Sequence, residues 1–152
     1  MDRALVVVDP DDPNHELLRE AGTLAAGVDA SLVVLALATE ESFEADMETL
    51  DRIAEIEGSS PGSYSGPEYV RMAADDAAKT ALSDISVDYE PRGVIDEENA
   101  WADRVLGVAA DNGCGHVFLR GVHRSPTGKA LFGDTAQSVI LNFDGAVTVV
   151  TD

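Results

Sequence analysis

A chain of 152 residues with 45% hydrophobic and 5% aromatic content can bury one core, built from small and β-branched groups, and is not a disordered tail. Its 29 acidic residues oppose 10 basic ones, and the formal charge of -19 excludes a broad nucleic-acid-binding or anionic-membrane surface. Salt relieves such self-repulsion, so a salt-rich cytoplasm, as in a halophile, fits a chain whose only lysines are Lys79 and Lys129; an ordinary acidic protein from moderate conditions is the alternative.

Ala4 to Val8 is an apolar run closed by Asp9-Pro10-Asp11-Asp12-Pro13. It reads as a strand buried on both faces. Asp12 followed by Pro13 predicts a helix start, and Leu17, Leu18, Ala21, Leu24, Ala25 and Val28 follow at helical spacing. Ser31 to Ala38 is a second buried strand, and the intervening chain leaves room for one crossover helix. Residues from about 42 to 66 read as an insertion, helical from Glu44 to Glu57 and flexible over GSSPGSYSG, Gly58 to Gly66. They do not divide the chain, which is expected to form a single domain over residues 1–152.

Pro67 opens the next helix, whose stripe from Val70 to Ile85 is mostly alanine and so predicts close packing on a sheet. Val87 to Ile95 alternates and contains Pro91, which lacks a ladder donor and places the strand at an edge. Asp96 is expected to cap a helix carrying Trp101, Val105, Val108 and Ala109, ended by Gly113. Cys114 is alone, so it forms neither an internal disulfide nor a cysteine zinc site, and it reads as buried filler. Val117 to Leu119 is a short strand inside the sheet. A helix from about Thr135 to Leu141 and a strand from Ala146 to Val150 complete the chain.

Strands alternating with helices predict one parallel sheet with helices on both faces. The N-terminal apolar run is too short for a signal peptide or a membrane span, so a soluble cytoplasmic protein is expected. In such folds ligands sit beyond the carboxyl ends of the strands, where the strand order reverses. The loops after Asp9, after Ala38 and after Gly121 end there.

The stretch RGVHRSPTGKALFGD, Arg120 to Asp134, gathers Arg120, Arg124 and Lys129 with three glycines. Glycines let a backbone approach a ligand, Ser125 and Thr127 add hydroxyls, and a following helix start adds unpaired N–H groups. The pattern suits a phosphate; a solvated loop turning at Ser125-Pro126 is the bland alternative. Gly128-Lys129 resembles the end of a P-loop, but His123 stands where its first glycine belongs, and Ala130 replaces the magnesium-binding hydroxyl. No G-x-G-x-x-G follows the first strand. Neither a nucleophile–base pair nor a metal cluster makes a catalytic case.

Along nearly its whole length the chain resembles the universal stress protein family. The opening strand ending in Asp9, the alanine-rich helix, RSPTGKALFG followed by TAQSVI, and the closing VTVV carry the likeness. RSPTGKALFG is especially similar to members from salt-loving archaea. The resemblance implies a five-stranded parallel α/β sheet of order 3-2-1-4-5, and a homodimer through the last strand, Ala146 to Val150. It also implies a nucleotide site for ATP, with Mg2+ if a metal lies between the phosphates and Asp134. Carried over, the site comprises Asp9 with Pro10 beside it, Ala38, Gly121, Arg124, Ser125, Thr127, Gly128, Lys129, Gly133, Asp134 and Thr135.

The ATP-binding branch of the family carries G-x2-G-x9-G-[ST] after the fourth strand. Here Arg124 stands at the second glycine, the span from Gly121 to Gly133 is one residue short, and Asp134 replaces the hydroxyl. Thr135 could supply that hydroxyl from one place further on, or Asp134 could cap the helix and compete with phosphate. A dimeric interaction module of the same family without nucleotide is therefore the second reading. An adenylyl-transferring or pyrophosphate-cleaving enzyme of a related α/β fold is the third, and DPDDPNH offers it only His15.

Overall fold

The computed structural model describes residues 1–58, 65–121 and 133–151. Five parallel strands form one sheet: β1 (Arg3–Val8), β2 (Ser31–Ala38), β3 (Tyr89–Ile95), β4 (His116–Gly121) and β5 (Ala146–Thr151). Their spatial order is β3-β2-β1-β4-β5, as the resemblance implied. In register, Val6 of β1 lies between Val34 of β2 and Phe118 of β4. β1, β2 and most of β4 are buried on both faces, which explains their unbroken apolar runs. β3 is an edge, and Pro91 sits in it opposite Val34.

On one face α1 (His15–Gly27) and α3 (Gly66–Ala81) pack against Ala4, Val6, Val8, Val34 and Phe118. On the other, α4 (Trp101–Asp111) and α5 (Asp134–Asn142) cover Leu5, Val33, Leu35, Val117 and Leu119. Alternate side chains of each strand thus feed two cores. Val70, Ala74, Ala77, Ala78 and Ala81 line the buried side of α3. The short alanine side chains bring the helix backbone down onto β3, where an added Cβ on Gly93 would lie 2.3 Å from the Arg71 amide nitrogen.

Several helix starts differ from the sequence reading. Asp12-Pro13 does not open α1. Asn14 does, its Oδ1 accepting from the Leu17 amide at 3.1 Å, because Asp12 is drawn into the turn that follows β1. α2 (Glu40–Glu57) starts before Glu44, so most of the stretch read as an insertion is helix. A reciprocal cap fixes it: the Ser42 amide donates to Thr39 Oγ1 and the Thr39 amide to Ser42 Oγ. Residues 59–64 of the expected flexible loop lie outside the described residues.

Asp96 caps no α-helix either. The chain leaves β3 extended through Glu97, and a 3-10 turn (Glu98–Ala100) leads into α4. The Asp96 carboxylate instead accepts from Arg104 Nε and from the Glu97 amide, both at 2.9 Å, and these bonds hold its pKa below the usual range.

Cys114 is buried, and burial raises its thiol pKa, so the filler role fits. Tyr89 donates its hydroxyl to Asp75 at 2.8 Å; burial first, and then this carboxylate, push its pKa up to about 12. Among the described residues, no helix is long and apolar enough to cross a membrane.

Candidate functional site

The strand order reverses between β1 and β4, so the loops leaving these strands part there, at the place where folds of this kind offer a crevice. The loop after β1 is tightly wound. The Asp11 amide donates to Asp9 Oδ1 at 2.9 Å, and the Asp12 amide donates to the Asp9 carbonyl at 3.3 Å. Asp9 is therefore a turn former at the crevice mouth, its side chain exposed and its Oδ1 committed to the turn. Pro10, half-buried, is the next residue of the same turn.

β4 ends at the buried Gly121. Arg120, just before it, donates from Nη1 to Asp12 Oδ2 at 3.1 Å and so bridges from β4 to the loop after β1. The residues carried over from the family resemblance include neither partner. They stand 108 positions apart, and only the strand order brings them together.

β4 and β5 are parallel, so α5 must begin at the edge where β4 ends. Gly133 is buried and caps α5 at φ 86°, ψ 161°, a left-handed backbone that favours glycine. Asp134 is the first helical residue; its exposed side chain makes no capping bond, so the idea that it caps α5 does not hold. Thr135 is half-buried behind it. Arg124, Ser125, Thr127, Gly128 and Lys129 lie outside the described residues.

Ala38 stands one strand away, at the end of β2. Its carbonyl accepts from the Asp96 amide at 3.0 Å, which ties the ends of β2 and β3. A cleft of about 490 Å³ opens beside them, lined by Thr39, Glu40, Glu41, Ile95, Asp96, Glu97 and Glu98. So many carboxylates repel phosphate, and the cleft lies off the switch in strand order.

α2 comes near the same loop. The Asp11 carboxyl has Asp46 of α2 as a like-charged neighbour, and its pKa is raised first by burial and then by that neighbour. Tyr69, whose ring centroid lies 5.8 Å from that of Phe43, is raised first by burial and then by the same two acids. No sequence signal announced that pairing. Among the described residues, no group of three or more His, Cys, Asp or Glu side chains could hold a metal ion.

A doubly wound α/β sheet with its switch in strand order between β1 and β4 defines the architecture, and the sequence match makes it specific. The chain belongs to the universal stress protein family, whose family model matches residues 1–151. No curated protein matches it.

Solved structures share its fold. A universal stress protein from Archaeoglobus fulgidus is 20% identical at a TM-score of 0.62, with 98% of each chain covered. A universal stress protein in complex with cAMP is 19% identical at a TM-score of 0.61, covering 99% of this chain and 96% of the other. An Archaeoglobus fulgidus universal stress protein in complex with dAMP is 15% identical at a TM-score of 0.53, covering 98% and 97%.

Proposed function

We propose that the protein is a nucleotide-binding stress-response module that takes ATP in the β1–β4 crevice. One observation carries the reading: the switch in strand order gathers the Asp9 turn, the end of β4 at Gly121 and the Gly133-Asp134 start of α5 at one edge. Amides at a helix start favour an anion. Relatives of the same fold in complex with cAMP and dAMP support the ligand class. Arg124, Ser125, Thr127, Gly128 and Lys129 complete the proposed phosphate side, and Asp9, Pro10 and Ala38 the nucleoside side. On this reading the protein acts by binding rather than by turnover.

Asp134 sets the terms. Its exposed carboxylate at the head of α5 repels phosphate unless Mg2+ lies between them. This observation favours the second reading, a family module that works without nucleotide. Calorimetry with ATP and Mg2+ at high KCl separates the two: heat of binding at micromolar to millimolar ATP supports the first, and none at millimolar ATP supports the second. Under the first reading, Asp134→Ser tightens ATP binding several-fold in EDTA. Unchanged or weaker affinity there means the carboxylate does not face the phosphates.

The working unit we propose is a homodimer paired through β5, in a salt-rich cytoplasm. β5 is the sheet's other edge, its central residues are half-buried, and Leu141 of α5 is 73% exposed beside it. Two chains of charge -19 repel, so sedimentation equilibrium should show a dimer that tightens as KCl rises. A monomer throughout the series sets the dimer aside; a dimer indifferent to salt sets aside the salt-adapted setting and the archaeal kinship it supports.

A further inference from the structure

The Arg120–Asp12 ion pair spans the gap between β1 and β4, and its chemistry reaches beyond tying two loops together. Arg120 follows Phe118 by two residues and so leaves β4 on the face that packs on α1. Its guanidinium meets Asp12 through Nη1, at 3.1 Å from Oδ2, with the two side chains 44% and 75% exposed. A guanidinium is a planar fork suited to holding two phosphate oxygens at once, with charge-assisted bonds. A solvated pair such as this one holds only weakly. A phosphate at this position is therefore a stronger partner for the guanidinium than the Asp12 carboxylate is. In a chain of charge -19, a cation kept at the crevice by a carboxylate is also kept from wandering to other acids.

We propose that Arg120 is a phosphate-contacting residue of the crevice and that Asp12 is its built-in competitor, displaced when a nucleotide phosphate takes the guanidinium. The proposal rests on the nucleotide reading and adds to it a residue that no glycine-loop pattern contains. It also predicts which ligands feel the exchange: those with phosphate, and not the bare nucleoside.

The test is calorimetry at constant KCl with adenosine, AMP and ATP on the wild type, Arg120→Gln, Asp12→Asn and the double variant. Arg120→Gln should weaken AMP and ATP by about tenfold or more and leave adenosine within twofold. Asp12→Asn should tighten AMP and ATP by about two- to fivefold, and this gain should vanish in the double variant. Thermal melting in the same buffer checks that each variant folds. Arg120→Lys, which keeps the charge and loses the fork, should fall between wild type and Arg120→Gln.

Equal losses for adenosine and AMP, or a gain from Asp12→Asn that persists without Arg120, would overturn the proposal while leaving nucleotide binding intact. Should the wild type bind none of the three, the nucleotide reading fails. The exchange then stands only if Asp12→Asn alone brings ATP binding into view, and silence from that variant overturns it too.

Discussion

Gly93→Ala should cost about 3 kcal/mol of stability and lower the thermal midpoint by about 6–12 °C. The added Cβ would lie 2.3 Å from the Arg71 amide nitrogen, 2.6 Å from the Pro67 carbonyl oxygen and 2.8 Å from the Val70 carbonyl carbon. All three are backbone atoms of α3, so no side chain can swing aside. The helix must lift from β3, and its alanine face, seated on Val34 and Ala36 of β2 as well, lifts with it.

Gly107, inside α4, makes the control, because a Cβ there meets nothing within 4 Å. Gly107→Ala should gain about 0.5–1 kcal/mol by narrowing the unfolded ensemble. Thermal unfolding in one high-KCl buffer reads both. A Gly93→Ala protein that melts with the wild type would mean α3 does not rest directly on β3. Equal changes in the two variants would mean glycine entropy, not contact, governs the site.

The same contact shows what could be read from the sequence. An alanine stripe at helical spacing announces a helix that packs closely, and Pro91 announces an edge; the pairing of that helix with Gly93 completes both statements. Strand limits were legible because β1, β2 and β4 are buried on two faces and therefore continuous in apolar character. Helix starts were less so. Asp12, Asn14, Thr39 and Asp96 are all competent caps by residue type, and tertiary contacts choose among them. Asp12 goes to Arg120 and Asp96 to Arg104, while Asn14 and Thr39 cap.

The candidate site divides along the same line. Its location was expected from topology, and the glycines at 121 and 133 from the resemblance to the family. The partners of Asp12 and Asp11, namely Arg120 and Asp46, depend on which loops lie side by side, and no local pattern encodes that. Asp9 illustrates the limit from the other direction: the sequence left it open between turn former and ligand contact, and the structure shows the turn bond in place without removing the carboxylate from the crevice mouth.

Phe118→Ala is expected to have the larger effect on stability, about 3–5 kcal/mol and a midpoint lowered by about 6–20 °C. Phe118 is fully buried in β4, opposite Val6 of β1 and Thr148 of β5, in the core beneath α1. Its ring stacks on His116 with centroids 4.2 Å apart and planes 7° from parallel, while His116 Nε2 lies 2.8 Å from Thr148 Oγ1. Burial, and then the positive N-terminus, push the His116 pKa below its ordinary value. A depressed histidine contributes stability that is present above its ordinary pKa and lost as pH falls through the folded value.

Truncating Phe118 removes the ring stacked on His116 and uncovers that face of the imidazole. The His116 pKa should then climb back toward its ordinary value, and the acid side of the stability profile should flatten. An NMR titration of the His116 ring reads the first effect, and urea unfolding across pH 5–8 reads the second. Phe118→Leu, which refills part of the void, should recover a fraction of the stability and little of the stacking. A loss below about 1 kcal/mol for the alanine variant, or an unmoved His116 titration, would mean that β4 is held by its neighbours' ladders and not by this ring. Since Arg120 and Gly121 leave the same strand two and three residues on, that outcome would also separate the anchoring of the crevice from the core beneath it.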